Sequence, residues 1–211
     1  SILVIFSIGI FLYAVTTFTR FIVEGVFLNT YKDNKVKRRI DRLSGHVVIC
    51  GYGRNGKQAA YELSEHHFDV VVIEQNESRV PIMNEDGVLY LLGPANDENM
   101  LIRAGIERAR GIMTVVGSDA DNVFMVLLAR ELNPAIFIVS RAIMNSAKRT
   151  LLAAGVDKVV SPYDLGARRM AHAVLRPTVI EFLEMAFADE SAAIEVEELR
   201  VKSTSSLIGT C

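Results

Sequence analysis

The stretch of the chain best suited to chemistry is Gly51-Tyr52-Gly53-Arg54-Asn55-Gly56. In the spacing G-x-G-x-x-G each glycine has a physical task. Gly51 permits a tight turn, Gly53 lets a pyrophosphate approach the backbone, and Gly56 lets a helix pack closely on a strand. A helix starting here would turn its unpaired N–H groups and positive dipole end toward bound phosphates. Glu74 follows 18 residues after Gly56. A carboxylate at that distance accepts hydrogen bonds from ribose hydroxyls. Glycine-rich turns also occur for packing alone, so the flanking elements decide the reading.

Those elements are legible. His46-Val-Val-Ile-Cys50 is a short β-branched run of the kind that forms a buried strand, and Lys57 to Leu63 reads as the helix after the glycines. Asp69-Val-Val-Val-Ile73 predicts a second strand ending at Glu74. Beyond it the pattern predicts a helix over 77–85, a strand over 88–92, a helix over 97–104 and a strand over 111–116. A helix over 120–132 stops before Pro134, and a strand over 136–139, a helix over 145–154 and a strand over 158–160 follow. Six short apolar strands alternating with helices specify an α/β fold, a Rossmann-like, doubly wound parallel sheet. Its ligand crevice belongs at the C-terminal ends of the strands, beside the glycine loop.

Composition narrows the function. The chain has 211 residues and a formal net charge of −2, which gives no electrostatic basis for nucleic-acid binding. Its two cysteines, Cys50 and Cys211, fit neither a disulfide framework nor a metal site, and Cys50 reads as a small core hydrophobe.

The ends carry a different signal. Residues 1 to 19 are uncharged and mostly apolar, and as a helix they would rise about 28 Å, near the thickness of a bilayer core. No basic n-region or small-residue cleavage site marks a signal peptide, and no polar face precedes Thr16. The expectation is a transmembrane helix over 1–28, continuing a longer chain, then a basic linker over 29–45. There Lys32, Lys35, Lys37, Arg38, Arg39 and Arg42 outnumber Asp33 and Asp41, which places the linker and the nucleotide fold on the cytoplasmic side of the cell membrane. Residues 46–162 are the nucleotide-binding domain. Ser161-Pro162 opens a further helix, over 163–177, with Ala167, Met170, Ala171, Val174 and Leu175 on one face. That stripe packs either on its own domain or across a subunit boundary. Residues 178–211 read as the start of a C-terminal subdomain.

This order of segments resembles the cytoplasmic regulator-of-potassium-conductance (RCK or KTN) domains of prokaryotic potassium channels and transporters. The resemblance is carried by Val47 to Gly56, by Leu101-Ile-Arg-Ala-Gly-Ile-Glu-Arg-Ala-Arg-Gly111, by Asp121-Asn-Val-Phe-Met with Ala129 to Pro134, and by Gly155 to Pro162 with Ala167-Arg-Arg-Met-Ala171. It implies that NAD or ADP/ATP is held by Gly51, Tyr52, Gly53, Arg54, Asn55, Gly56, Glu74, Gln75, Gly93, Asn96 and Gly117. It implies a pore-lining inner helix with a hinge at Gly9, potassium ions passing through a pore upstream of Ser1, and a homo-oligomer: a tetrameric channel with an octameric ring of cytoplasmic domains. It also implies divalent cations such as Ca2+, for which Glu181, Glu184, Asp189 and Glu190 are candidate oxygen ligands; a solvated acidic face is the plainer account of them. One departure is Pro94, where the family places an acid after the third-strand glycine.

The function expected is nucleotide-controlled gating of potassium conduction, without catalysis. Alternatives are a membrane-anchored NAD-dependent oxidoreductase or the regulatory subunit of a potassium transporter. Hydride transfer needs a proton-handling residue beside the nicotinamide, and His46, His66, His67 and His172 fall away from the expected crevice.

Overall fold

In a computed structural model, residues 2–23 and 36–176 are described, with the side chains of 6–17 and 36–176 among them. Contacts divide the chain into two units, 1–162 and 163–211.

Six parallel strands form one sheet in the order β3-β2-β1-β4-β5-β6. They are β1 (Val47–Cys50), β2 (Val70–Glu74), β3 (Leu89–Leu92), β4 (Gly111–Thr114), β5 (Phe137–Arg141) and β6 (Lys158–Val160). The helices between them are α2 (Arg54–Glu65), α3 (Val80–Glu85), α4 (Glu98–Arg103), α5 (Asp119–Leu132) and α6 (Ala147–Ala153). The strand order reverses between β1 and β4, so the loops after those strands splay apart and leave a crevice.

Both faces of the sheet are buried, as near-continuous apolar strands require. Alternate residues of β1 and β2 divide between them. Val48, Cys50, Val71 and Ile73 join Met125, Val126, Ala129 and Leu151 on one side, while Val47, Ile49, Val70 and Val72 pack with Ala60 and Met83 on the other. Cys50 is fully buried, and burial pushes its thiol up to about 12. The core-hydrophobe reading of Cys50 holds.

Several boundaries differ from expectation for local reasons. Residues 77–85 are not one helix: a 3-10 turn over Glu77–Arg79 precedes α3, with Pro81 in its first turn. β4 ends at Thr114, and β5 runs on through Ser140 and Arg141. Ser140 tolerates this fully buried place because its hydroxyl bonds Thr114 Oγ1 at 2.7 Å.

At the chain start α1 (Ile2–Val23) is helical, and the side chains described within it are exposed on every side, Phe6, Phe11, Leu12 and Tyr13 among them. Among the described residues no helix is long and apolar enough to cross a membrane, so the expected span over 1–28 is not established by the fold. Residues 24–35 of that span and the linker, and the proposed subdomain over 178–211, lie outside the described residues.

The second unit contributes α7 (Pro162–Leu175), the helix expected after the sheet. No residue of it is buried, and Met170, Val174 and Leu175 of its apolar stripe are among the exposed large hydrophobic residues.

Candidate nucleotide-binding cleft

β1 delivers the chain to Gly51, whose φ of +99° is open to glycine at little cost. Gly53 is the N-cap of α2, and space is open where its Cβ would stand, which leaves the loop's face accessible. Gly56 has the opposite surroundings. A Cβ there would lie 1.9 Å from the Gly51 carbonyl oxygen, so the third glycine is fixed by close packing inside the loop.

Glu74, at the end of β2, is buried and turned into the same loop. Its Oε2 accepts the Tyr52 backbone N–H at 2.6 Å and its Oε1 accepts that of Asn76 at 2.8 Å. Arg79 closes the group: Nη1 donates to the Tyr52 carbonyl at 2.6 Å, and Nε lies 3.5 Å from Glu74 Oε2. Each carboxylate oxygen has two lone pairs, so Glu74 can brace the loop and still accept from a ribose.

These residues line a cleft of about 420 Å3 at the C-terminal ends of the strands. Of the expected site residues Gly51, Gly53, Arg54, Glu74, Gln75, Asn96 and Gly117 lie on its walls. Tyr52, Asn55, Gly56 and Gly93 do not. The Tyr52 ring is buried in the second core cluster and its hydroxyl donates to Asp86 at 2.8 Å, so it anchors the loop from behind. Burial, helped by that bond to Asp86, raises the Tyr52 hydroxyl above the usual phenol range. Lys57 Nζ, 2.8 Å from Asp86, and the Tyr52 hydroxyl together hold the Asp86 carboxyl below the usual carboxylate range. Gly93 has φ +156°, a backbone conformation that side chains rarely adopt, and a Cβ there would meet only the flexible end of Met100, Cε at 2.8 Å.

The cleft also holds residues that the sequence did not single out as site residues: Asn76, Arg79, Asp121 and Arg141. Arg141 stands at the end of β5 as Glu74 stands at the end of β2, but the apolar run that marks β5 in the sequence stops two residues short of it. The histidines are elsewhere. His46 is fully buried with Nε2 2.8 Å from the Ala104 carbonyl, and none of His46, His66 and His67 is on the cleft wall. Among the described residues no cluster of three metal-ligating side chains occurs, and Glu181, Glu184, Asp189 and Glu190 lie outside them.

A parallel doubly wound sheet, a glycine loop at its switch point and an acid at the end of β2 define a Rossmann-like nucleotide-binding domain. The model of the TrkA-N domain matches residues 47–162, and the chain belongs to that family. Among relatives, it is 41% identical over 180 residues to probable potassium channel protein 2 of Methanocaldococcus jannaschii, covering 84% of this chain and 52% of that one. The chain thus spans about half of that relative's length. Among solved structures, GsuK bound to ADP matches with a TM-score of 0.56 and 31% identity, over 67% of this chain and 38% of that chain. The GsuK channel bound to NAD matches with a TM-score of 0.53 and 25% identity, over 57% of this chain and 22% of that chain.

Proposed function

We propose that this chain is the nucleotide-sensing part of a potassium channel, in which occupancy of the cleft biases a pore formed elsewhere in the protein. The observation that carries the reading is the Glu74 carboxylate, held against the open glycine loop on the wall of the cleft, where a ribose could reach it. The relative's name supplies the channel context, and the two GsuK structures supply adenine nucleotides, ADP and NAD, as the ligand class.

In this reading α1 is the end of a membrane helix, its apolar side chains meeting lipid or other pore helices, and the domain after it is cytoplasmic. The described part of the linker, residues 36–45, packs on the domain and can transmit displacement. Ile40 is fully buried, Arg108 Nε donates to the Leu43 carbonyl at 3.3 Å, and Gly45 N–H donates to the Arg108 carbonyl at 2.8 Å. Arg108 lies just before β4, which runs beside the glycine strand, so a shift at the cleft has a short route to the linker. Homo-oligomerisation is supported by Phe124 and Leu127 on α5, Leu152 on α6 and the stripe on α7, all exposed. A tetrameric pore carrying a ring of eight such domains fits this reading.

Calorimetry on the chain in detergent tests it. ADP and NAD should bind, and NADP should bind poorly because its 2′-phosphate meets Glu74. Glu74→Ala should weaken ADP by about tenfold or more, the worth of a hydrogen bond to a charged group. A preference for NADP, or unchanged affinity in the variant, contradicts the assignment.

A further inference from the structure

The cleft has a second half, on the β4–β5 side, whose chemistry the ribose and glycine loop do not use. Its wall includes Val116, Gly117, Asp121 and Arg141. Arg141 is held firmly at its root: the buried Asn122 donates Nδ2 to the Arg141 carbonyl at 3.1 Å, and Asn122 Oδ1 accepts from Val116 N–H at 3.2 Å. Its guanidinium makes one bond, from Nη2 to the Val116 carbonyl at 2.5 Å. Nε is buried and has no partner, and among the described residues no carboxylate pairs with the group. The acids nearby in the chain include Asp119, whose two oxygens accept from the N–H groups of Ile143 and Met144. A partly buried guanidinium whose Nε is buried without a partner gains by meeting an anion, and an anionic ligand in the cleft would supply one.

Three strand spacings separate the end of β2 from the end of β5, about 14 Å in all. That exceeds a ribose, so with the ribose on Glu74 and the first phosphate at the glycine loop, Arg141 meets what comes after. We infer that Arg141 reads terminal phosphate charge, so that the cleft selects nucleoside diphosphates and triphosphates over AMP and over NAD, which carries no terminal phosphate. This rests on the nucleotide reading and narrows its ligand class. The planar guanidinium would take two phosphate oxygens at once, which an ammonium at the same place cannot do.

The test is calorimetry on the full chain with AMP, ADP, ATP and NAD as probes, for the native protein, Arg141→Gln and Arg141→Lys. Native protein should bind ADP about tenfold or more tighter than AMP. Arg141→Gln should remove most of that advantage while AMP stays within about twofold of native, since the nucleoside contacts are untouched. Arg141→Lys should keep part of the advantage. Equal losses for ADP and AMP, or an ADP advantage that survives Arg141→Gln, overturns the inference. If Arg141→Gln does not melt cooperatively, Arg141→Lys decides: a reduced ADP-to-AMP ratio supports the inference and an unchanged one overturns it. Native protein that binds AMP, ADP and NAD equally refutes this inference alone; native protein that binds none of the four refutes the nucleotide reading with it.

Discussion

Removing the Glu74 carboxylate should destabilise the domain before any ligand is added. The side chain is only 7% exposed and serves two backbone donors, Tyr52 N–H and Asn76 N–H. In Glu74→Ala the Tyr52 N–H is left in a buried place without an acceptor, which costs about 1–3 kcal/mol. Asn76 is exposed, and water replaces its acceptor at little cost. Arg79, 40% exposed, loses a partner worth about 0–1 kcal/mol. The expected loss is therefore about 1–4 kcal/mol, a large part of an ordinary domain's stability. Glu74→Gln keeps one carbonyl acceptor for Tyr52 and turns an amide donor toward Asn76, so it should lie nearer the lower end. Urea unfolding of both variants in nucleotide-free buffer measures this. Identical midpoints for Glu74→Ala and native protein would refute the claim that the carboxylate braces the loop.

Gly56→Ala should destabilise by more than the ordinary 1–3 kcal/mol of overpacking, because the clashing atom is the Gly51 backbone oxygen and cannot rotate away; a native-like midpoint would show that the loop yields. Asp157 is held below the usual carboxylate range, first by the Ile138 N–H at 2.7 Å and then by Arg130. Its contribution is complete above the unfolded value near about 4 and is lost as pH falls from there through the lower folded value. Asp157→Asn should therefore flatten the acid limb of stability, and urea midpoints at pH 6 and pH 3 compare the two proteins. Cys50, whose thiol burial keeps protonated, should resist iodoacetamide at pH 8 in a Cys211→Ser background until denaturant is added; rapid alkylation of folded protein would contradict its place in the core.

The sheet and the Glu74 end of the cleft were legible because they depend on local pattern. Apolar runs of strand length, glycines at fixed offsets and an acid closing Val70 to Glu74 are visible without knowing what lies beside them. The Arg141 end was not. Arg141 follows a polar Ser140, and the strand reads as finished before both, since nothing local shows that Thr114 on the neighbouring strand donates to the serine hydroxyl. Tyr52 was only half legible. Its position in the glycine motif marks the backbone as part of the site, yet its ring is drawn into the core behind the loop and tied to Asp86. Likewise Gly93 follows a strand as a ligand-binding glycine would, and only its φ of +156° reveals a backbone reason for it.

The central claim is that nucleotide in the cleft moves the pore through the linker. Driving a channel from mostly shut to mostly open takes about 5.5 kcal/mol of differential binding, or about 0.7 kcal/mol per site shared over a ring of eight. A few rearranged contacts supply that, provided the linker transmits displacement. The direct measurement is planar-bilayer recording of the full-length protein, with ADP perfused on the cytoplasmic side, for native protein and for a variant with ten Gly/Ser residues inserted after Thr30. Such an insertion makes the connection a slack coil. The account predicts that ADP changes open probability in native channels, and that the insertion abolishes the change while ADP still binds. A slackened channel that responds as fully as native would contradict it.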